Sequence, residues 1–444
     1  MRSAPLDALR ELPGGRELLE LAAGRDDVEL VGGAVRDLVL GRTPRELDVV
    51  VGRDADAFAR ELAARLGASA GHSPRASQDA AATFHDRFGT ALVRWELDPA
   101  DARIGAEARI DIATRRAERY PAPGALPEVS AGTPQQDLNR RDFTVNAIAL
   151  PLSGPSAGKL RPVDDRALGD LAEGRLRVLH PRSFSDDPTR LLRLARYSAR
   201  LGFQIEPHTA DLAAQAVAEG ALDTVSRARI GAELRLALAE PDALATLEAM
   251  DRLGLLRALH PQLRFETGLA RDALALLRRG LDGEPGRPDL LLLAALLRSL
   301  VQALEVDAED AAYALLDSLE IPAADRDLAL DSAVDADALA EELGGAETPS
   351  QIREAVGHAP PEQVALAGAW GQREWEFSEV VDAAEEWLKQ LRHVHLEISG
   401  DDLLAAGIPE GPEIGRRLQA ALARKLDDEL DAGPDAELQA ALEA

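Results

Sequence analysis

The residues best placed for chemistry are carboxylates and glycines early in the chain. Glu46 and Asp48 stand two apart in Glu46-Leu47-Asp48, and on a strand positions i and i+2 project from one face. Two carboxylates on one face, near a third, can hold two Mg2+ ions. Such ions activate a hydroxyl and stabilise a leaving pyrophosphate. Alone, a pair of this kind is more commonly a solvated strand edge. Asp111 offers the third carboxylate from the centre of Arg109-Ile110-Asp111-Ile112-Ala113, where burial is costly unless the charge is paired or metal-bound. Upstream, Gly32-Gly33 precedes Ala34-Val35-Arg36-Asp37. A glycine pair between strand and helix lets backbone amides approach an anion, and Arg36 can reach the same anion. The run is not a P-loop, because Gly-Lys-Ser/Thr is missing.

Two further groups lie downstream. Asp187, Arg190 and Arg193 are spaced by three and share one helix face. A carboxylate presents acceptors and a guanidinium donors, the set needed to read the edge of a base. Helix capping competes with that reading, since Asp187 before Pro188 suits an N-cap followed by proline. Arg140-Arg141-Asp142 reads, by itself, as a surface ion-pair cluster.

These residues need elements to hold them. Val28–Val31 reads as a strand running into the glycines, followed by a helix over Ala34–Leu40. Leu47–Val51, Thr90–Trp95 and Arg109–Ala113 read as strands, and Ala55–Leu66 as an amphipathic helix. Ala68–Ala82 and Pro121–Gln136 read as loops. Strand signals nearly vanish after Phe184. Helical stretches follow at Leu191–Leu201, Ala210–Glu219, Ile230–Ala239, Asp272–Arg279, Leu290–Leu304 and Val381–Arg392. The sequence is expected to fray after Asp427. Boundaries are expected at Pro151–Gly158, Gly280–Pro288 and Gly344–Pro349. No fixed-period repeat is visible.

Composition narrows the class. The chain of 444 residues is too long for one ordinary domain, and 46% hydrophobic content is enough for packed cores. The absence of cysteine removes disulfides, thiolate metal sites and cysteine nucleophiles. No segment reads as a leader or a membrane span, so the expectation is a soluble, cytoplasmic protein without a membrane partner. The formal charge of −28 opposes polyanion binding at first sight. The first 200 residues are balanced, however, so residues 201–444 carry all of it. Residues 141–200 are net basic.

Several blocks together resemble the class II tRNA nucleotidyltransferase and poly(A) polymerase family. They are Gly32–Asp37, Glu46–Asp48, Arg87-Phe88-Gly89-Thr90-Ala91 and Asp137-Leu138-Asn139-Arg140-Arg141-Asp142-Phe143-Thr144-Val145-Asn146-Ala147. Ser185-Asp186-Asp187-Pro188-Thr189-Arg190 with Arg193 and Arg196, and Ile398–Leu403 with Gly407 and Gly411-Pro412, follow in the same order. The resemblance implies an α/β nucleotidyltransferase head of the polymerase-β type followed by an all-α neck, body and tail. It places the head at 1–152, the linker and neck with a nucleotide-selecting helix at 153–265, the body at 266–346 and an RNA-binding tail at 347–444.

By the same resemblance Glu46 and Asp48 ligate Mg2+, with Asp111 as the third catalytic carboxylate. Gly32, Gly33, Arg36 and Arg141 contact the nucleotide. Asp187 and Arg190 hydrogen-bond the incoming base, and Arg193 and Arg196 line its pocket. The implied reaction is template-independent addition of C and A from CTP and ATP to the 3′ end of tRNA, releasing pyrophosphate. Rival readings are CC-only or A-only addition, poly(A) synthesis, or a non-catalytic RNA-binding protein. Glu46 departs from the family's usual Asp-x-Asp, its extra methylene moving the oxygens by roughly 1.5 Å. Asp186 stands where many members have Glu. His72–Thr83 looks like an insertion. His85-Asp86 resembles an HD phosphohydrolase dyad but lacks the rest of that ligand set, so that reading is rejected.

The charge split predicts that RNA affinity depends on arginines of the first half and falls steeply with salt. Filter binding of tRNA across a salt series tests it. Equal affinity from residues 201–444 alone would refute it.

Overall fold

The computed structural model describes residues 5–70, 81–85, 89–97, 107–284, 286–304, 307–375 and 378–444. Asp86, Arg87, Phe88 and residues 72–80, singled out above, lie outside these. The chain forms two compact units, Met1–Val225 and Ser226–Ala444. The first is an α/β unit and the second is helical, as expected. No helix among the described residues is long and apolar enough to cross a membrane.

The strands of the first unit are β1 (Val28–Val31), β2 (Leu47–Val51), β3 (Ala81–His85), β4 (Thr90–Glu96), β5 (Glu107–Thr114), β6 (Arg116–Arg119), β7 (Glu128–Ala131), β8 (Ile148–Pro151), β9 (Arg161–Pro162), β10 (Arg175–Leu176) and β11 (Gln204–Ile205), the last two paired in parallel within the expected all-α neck. Seven of them form one sheet in the order β3-β4-β5-β2-β1-β8-β9. Only β2 and β5 pair in parallel there. In β5, Ala108, Ile110 and Ile112 are buried, which turns Arg109 and Asp111 to the opposite face. The helices are α1 (Pro5–Arg10), α2 (Gly15–Ala22), α3 (Gly33–Val39), α4 (Ala55–Ala70), α5 (Pro134–Asn139), α6 (Arg166–Glu173), α7 (Ser183–Asp186), α8 (Thr189–Leu201) and α9 (Pro207–Ala218). Leu138 of α5 packs on Val31, Val50 and Ala149 of the sheet.

Two expected loops carry structure. Ala68–Ala82 gives the end of α4 and the start of β3, which pairs antiparallel with β4. Pro121–Gln136 contains β7, paired with β6, and the first turn of α5. That turn has a local cause. Thr133 Oγ1 accepts from Gln136 N at 3.3 Å while Gln136 Oε1 accepts from Thr133 N at 2.9 Å, and Pro134 occupies the first helical position.

A buried polar ring joins α3, the Arg140–Asn146 segment and α8. Asp142 Oδ1 accepts from Phe143 N (2.8 Å) and Asn146 Nδ2 (3.0 Å), and Oδ2 from Arg193 Nε (2.9 Å) and Nη2 (2.7 Å). Asn146 Oδ1 accepts from Arg36 Nη1 at 2.6 Å, and Arg36 Nε donates to Asp37 at 2.8 Å. The Tyr197 ring lies between Arg36 and Arg193, each guanidinium carbon 5.4 Å from its centroid. Phe143 meets Tyr197 edge-on at 5.9 Å. Asp142 is only 7% exposed, so Arg140-Arg141-Asp142 is not a surface cluster. Its charge is interior and needs the arginine.

The second unit runs from Arg227–Leu238 to Pro434–Glu443. Gly280 lies within helix Thr267–Leu281, and a Cβ there would collide with Leu388. A Cβ on Gly368 would approach Ala384 Cβ to 2.8 Å. Small residues thus set close helix crossings. The segment expected to fray forms helix Pro434–Glu443, whose Ala440 and Ala441 pack with Ile398, Leu403 and Ala421. Buried Glu437 also accepts from the backbone of Glu397 and from Lys425.

Burial pushes the Asp142 carboxyl up, but Arg193 and Asn146 outweigh it and hold it at about 2, below the ordinary 3.8. A carboxyl depressed by folding stabilises above its unfolded value, and that stability is lost as pH falls toward the folded value. Wild-type protein should lose about 2 kcal/mol between pH 4 and pH 2 that Asp142→Asn does not lose. Urea melts of both proteins across that window test this, and parallel pH slopes would refute it.

Candidate active site

The parallel pairing of β2 and β5 sets the carboxylates side by side. Asp48 is in register with Asp111. Glu46 precedes β2 by one residue and forms an ion pair with Arg109 of β5. Burial pushes the Asp48 carboxyl up to about 6; Arg141 opposes this, Asp111 adds to it, and Arg193 and Arg36 oppose it. Burial also raises Asp111, against the charge of Arg109. Two crowded carboxylates that resist ionisation are a donor set suited to a hard divalent cation. Among the described residues no three His, Cys, Asp or Glu side chains converge as a ready cage; Glu46 is engaged by Arg109 instead.

The glycine turn opens beside these carboxylates, because Val31 at the end of β1 is in register with Asp48. Gly32 has φ 70° and ψ −139°, which favours glycine. A Cβ there would lie 2.9 Å from Arg141 Nη1 and 3.3 Å from Asp48 Oδ2. The missing side chain therefore leaves a cradle between a cation and a carboxylate. Arg141 is aimed by Asp137, which accepts from its Nη2 at 3.1 Å, while its Nε is buried without a hydrogen-bond partner. Burial raises Asp137, but Arg140 and Arg141 overcome this and lower it. Arg140 reaches Glu118 at 3.2 Å. Arg36 is 1% exposed and hydrogen-bonded inside the polar ring, and its Nη2 would lie 3.4 Å from a Cβ on Gly33.

Asp187 Oδ1 accepts from Thr189 N (3.2 Å) and Thr189 Oγ1 (2.7 Å) at the start of α8. Asp187 stands on extended backbone ahead of α8 and meets its first residue in a capping type of contact, so it does not lie on the helix with Arg190 and Arg193. Arg190 is buried; its Nη1 donates to Ser183 Oγ and its Nη2 to the Arg140 carbonyl, each at 2.7 Å. These bonds tie the base-reading candidates to the Arg140–Asp142 segment and use part of the five-donor fork. Arg193 is committed to Asp142, and Arg196 is 8% exposed.

Sequence reasoning missed Tyr197, Asn146, Glu118 and Tyr120. Tyr120 OH donates to Glu118 at 3.1 Å. Burial pushes its hydroxyl up to about 12, against Arg190 and with Glu118 and Asp187. Tyr197 carried a usable signal, since it stands four residues after Arg193 on one helix face. Glu118 and Tyr120 lie beside the expected Pro121–Gln136 loop, where no local pattern marks them.

Residues 28–177 match the poly(A) polymerase head domain, and residues 202–266 match a probable RNA- and SrmB-binding site of polymerase A. An A-adding tRNA nucleotidyltransferase of Geobacter sulfurreducens is 31% identical over 428 residues, 93% of this chain and 45% of that protein. The chain thus spans under half the length of that relative. A CC-adding tRNA nucleotidyltransferase of Deinococcus radiodurans is 37% identical over 300 residues, 63% of this chain and 73% of the relative. The solved Thermotoga maritima CCA-adding enzyme complexed with tRNA superposes with a TM-score of 0.72 at 26% identity, covering 100% of this chain and 98% of that one. With the family's head domain on the sheet that carries Asp48 and Asp111, this chain belongs to the tRNA nucleotidyltransferase and poly(A) polymerase family.

Proposed function

We propose that the protein adds C and A nucleotides from CTP and ATP to the 3′ end of tRNA. The observation that carries this reading is the Asp48–Asp111 pair beside the Gly32 cradle. The Thermotoga relative, complexed with tRNA, supports the choice of RNA. Glu46, Asp48 and Asp111 would hold Mg2+, which when bound supplies the charge for ionising a 3′-hydroxyl and releasing pyrophosphate. The Gly32-Gly33 backbone accommodates the triphosphate, and Arg141 meets its charge. Asp187 and Arg190 present acceptor and donor groups to the base edge. Arg36 and Arg193 act through the polar ring, holding α3 and α8 in place, and Arg196 supports the same helix.

A second reading, addition of A alone, is favoured by the alignment of the A-adding Geobacter relative over 93% of this chain. Purified protein is incubated with tRNA lacking CCA, tRNA ending in C or CC, and an unrelated RNA, each with CTP, ATP or both. C addition to the shortest tRNA followed by A supports the first reading, whereas A addition only to the CC-ending tRNA supports the second. ATP-driven tailing of the unrelated RNA would indicate poly(A) synthesis, and no product at all a non-catalytic protein.

Asp48→Ala should lower nucleotide addition by at least about a hundredfold, the scale of one lost transition-state interaction of about 3 kcal/mol. Its circular dichroism should be unchanged. Near-wild-type incorporation would remove Asp48 from the metal site. Asp187→Asn keeps an oxygen for Thr189 and should preserve the melting temperature. It replaces the other acceptor with a donor, so preference for CTP and ATP over UTP and GTP should fall about 10- to 100-fold, the equivalent of 1–3 kcal/mol. Unchanged selectivity across all four nucleotides would leave Asp187 as a helix cap alone.

A further inference from the structure

The β2–β5 ladder places a second pair next to the first. Leu47 is in register with Ile110 and Asp48 with Asp111. One step further back on the same face, Glu46 meets Arg109, and their side chains form an ion pair. The face therefore carries two rungs: two carboxylates that repel each other, then a carboxylate neutralised by arginine. On the other side Arg109 is in register with Arg94 of β4. Like charges opposite each other are unfavourable, so Arg94 drives Arg109 toward Glu46. Arg94 itself is 3.8 Å from Glu107.

We propose that Arg109 is a built-in counter-cation of the metal site, holding Glu46 until a divalent ion displaces it and so setting how much metal the enzyme requires. The proposal rests on the reading of Glu46, Asp48 and Asp111 as metal ligands. The Arg109 and Glu46 side chains are 52% and 37% exposed. An ion pair that open to water is weak and can be given up to a divalent ion. The length of residue 46 matters as well. Glutamate reaches roughly 1.5 Å further than aspartate, far enough to cross to Arg109 from the end of β2. An aspartate there would be held less.

The test uses Mn2+ as the probe and the full chain without nucleotide or RNA, with free Mn2+ measured by electron paramagnetic resonance. Arg109→Gln should bind Mn2+ about fivefold more tightly than wild type, because a neighbouring positive charge and a competing partner for Glu46 are both removed. Arg109→Lys keeps the charge and should stay within about twofold of wild type. In the Glu46→Asp background the effect of Arg109→Gln should shrink below about twofold. Melting temperatures check that each variant is folded. If Asp48→Asn abolishes Mn2+ binding while Arg109→Gln leaves the affinity unchanged or weaker, the counter-cation role is overturned and the metal site stands. If Asp48→Asn leaves Mn2+ affinity untouched, the ligand assignment fails and the counter-cation role with it.

Discussion

A single buried carboxylate organises the first unit. Asp142 is surrounded by four donors, two of them from Arg193 and one each from Phe143 N and Asn146. An interior charge of this kind is tolerated only when its counter-charge and hydrogen bonds are all in place. That requirement fixes the distance from α8 to the segment carrying Arg140 and Arg141. Through Asn146 it also fixes Arg36, and with it the helix that opens at Gly33. The paired carboxylates, the Gly32 turn and the base-reading candidates thus share one frame.

The frame explains why arginine recurs in the motifs, since several of these arginines hold elements together. Arg36 and Arg193 flank Tyr197 and bind buried acceptors. Arg141 has its Nη1 at the open side of Gly32. Arg190 stands between these cases, anchored to Ser183 and to the Arg140 carbonyl at the head of α8. A guanidinium is planar and permanently charged, so it can serve as a strut between elements as readily as a ligand.

Much of this was legible in the sequence. The strands β1 and β2 follow from short apolar and β-branched runs, β5 from apolar alternation, and the Gly32-Gly33 turn from its glycines. The pairing of Asp48 with Asp111 was not legible, because strand order and register are tertiary facts that no local pattern encodes. Nor was the inward turn of Arg36, since its partner Asn146 lies 110 residues away. The Thr133–Gln136 capping box is a local signal, masked by the proline and glycine around it. The helix Pro434–Glu443 was hidden by its acidic surface, although two buried alanines anchor it. The ion pair between Glu46 and Arg109 combines both cases: the departure at residue 46 was visible, its partner was not.

The polar ring also has a kinetic meaning. Its members come from three segments, with Arg36 and Asn146 separated by 110 positions and Asp142 and Arg193 by 51. Closing such long loops costs entropy before any bond repays it. Sheet strands can pair earlier, but the carboxylate of Asp142 stays water-exposed until Arg193 arrives. During synthesis, therefore, Asp142 gains its counter-charge only once α8 has emerged. A nascent chain that ends before residue 193 holds Asp142 without the strut that Arg193 supplies.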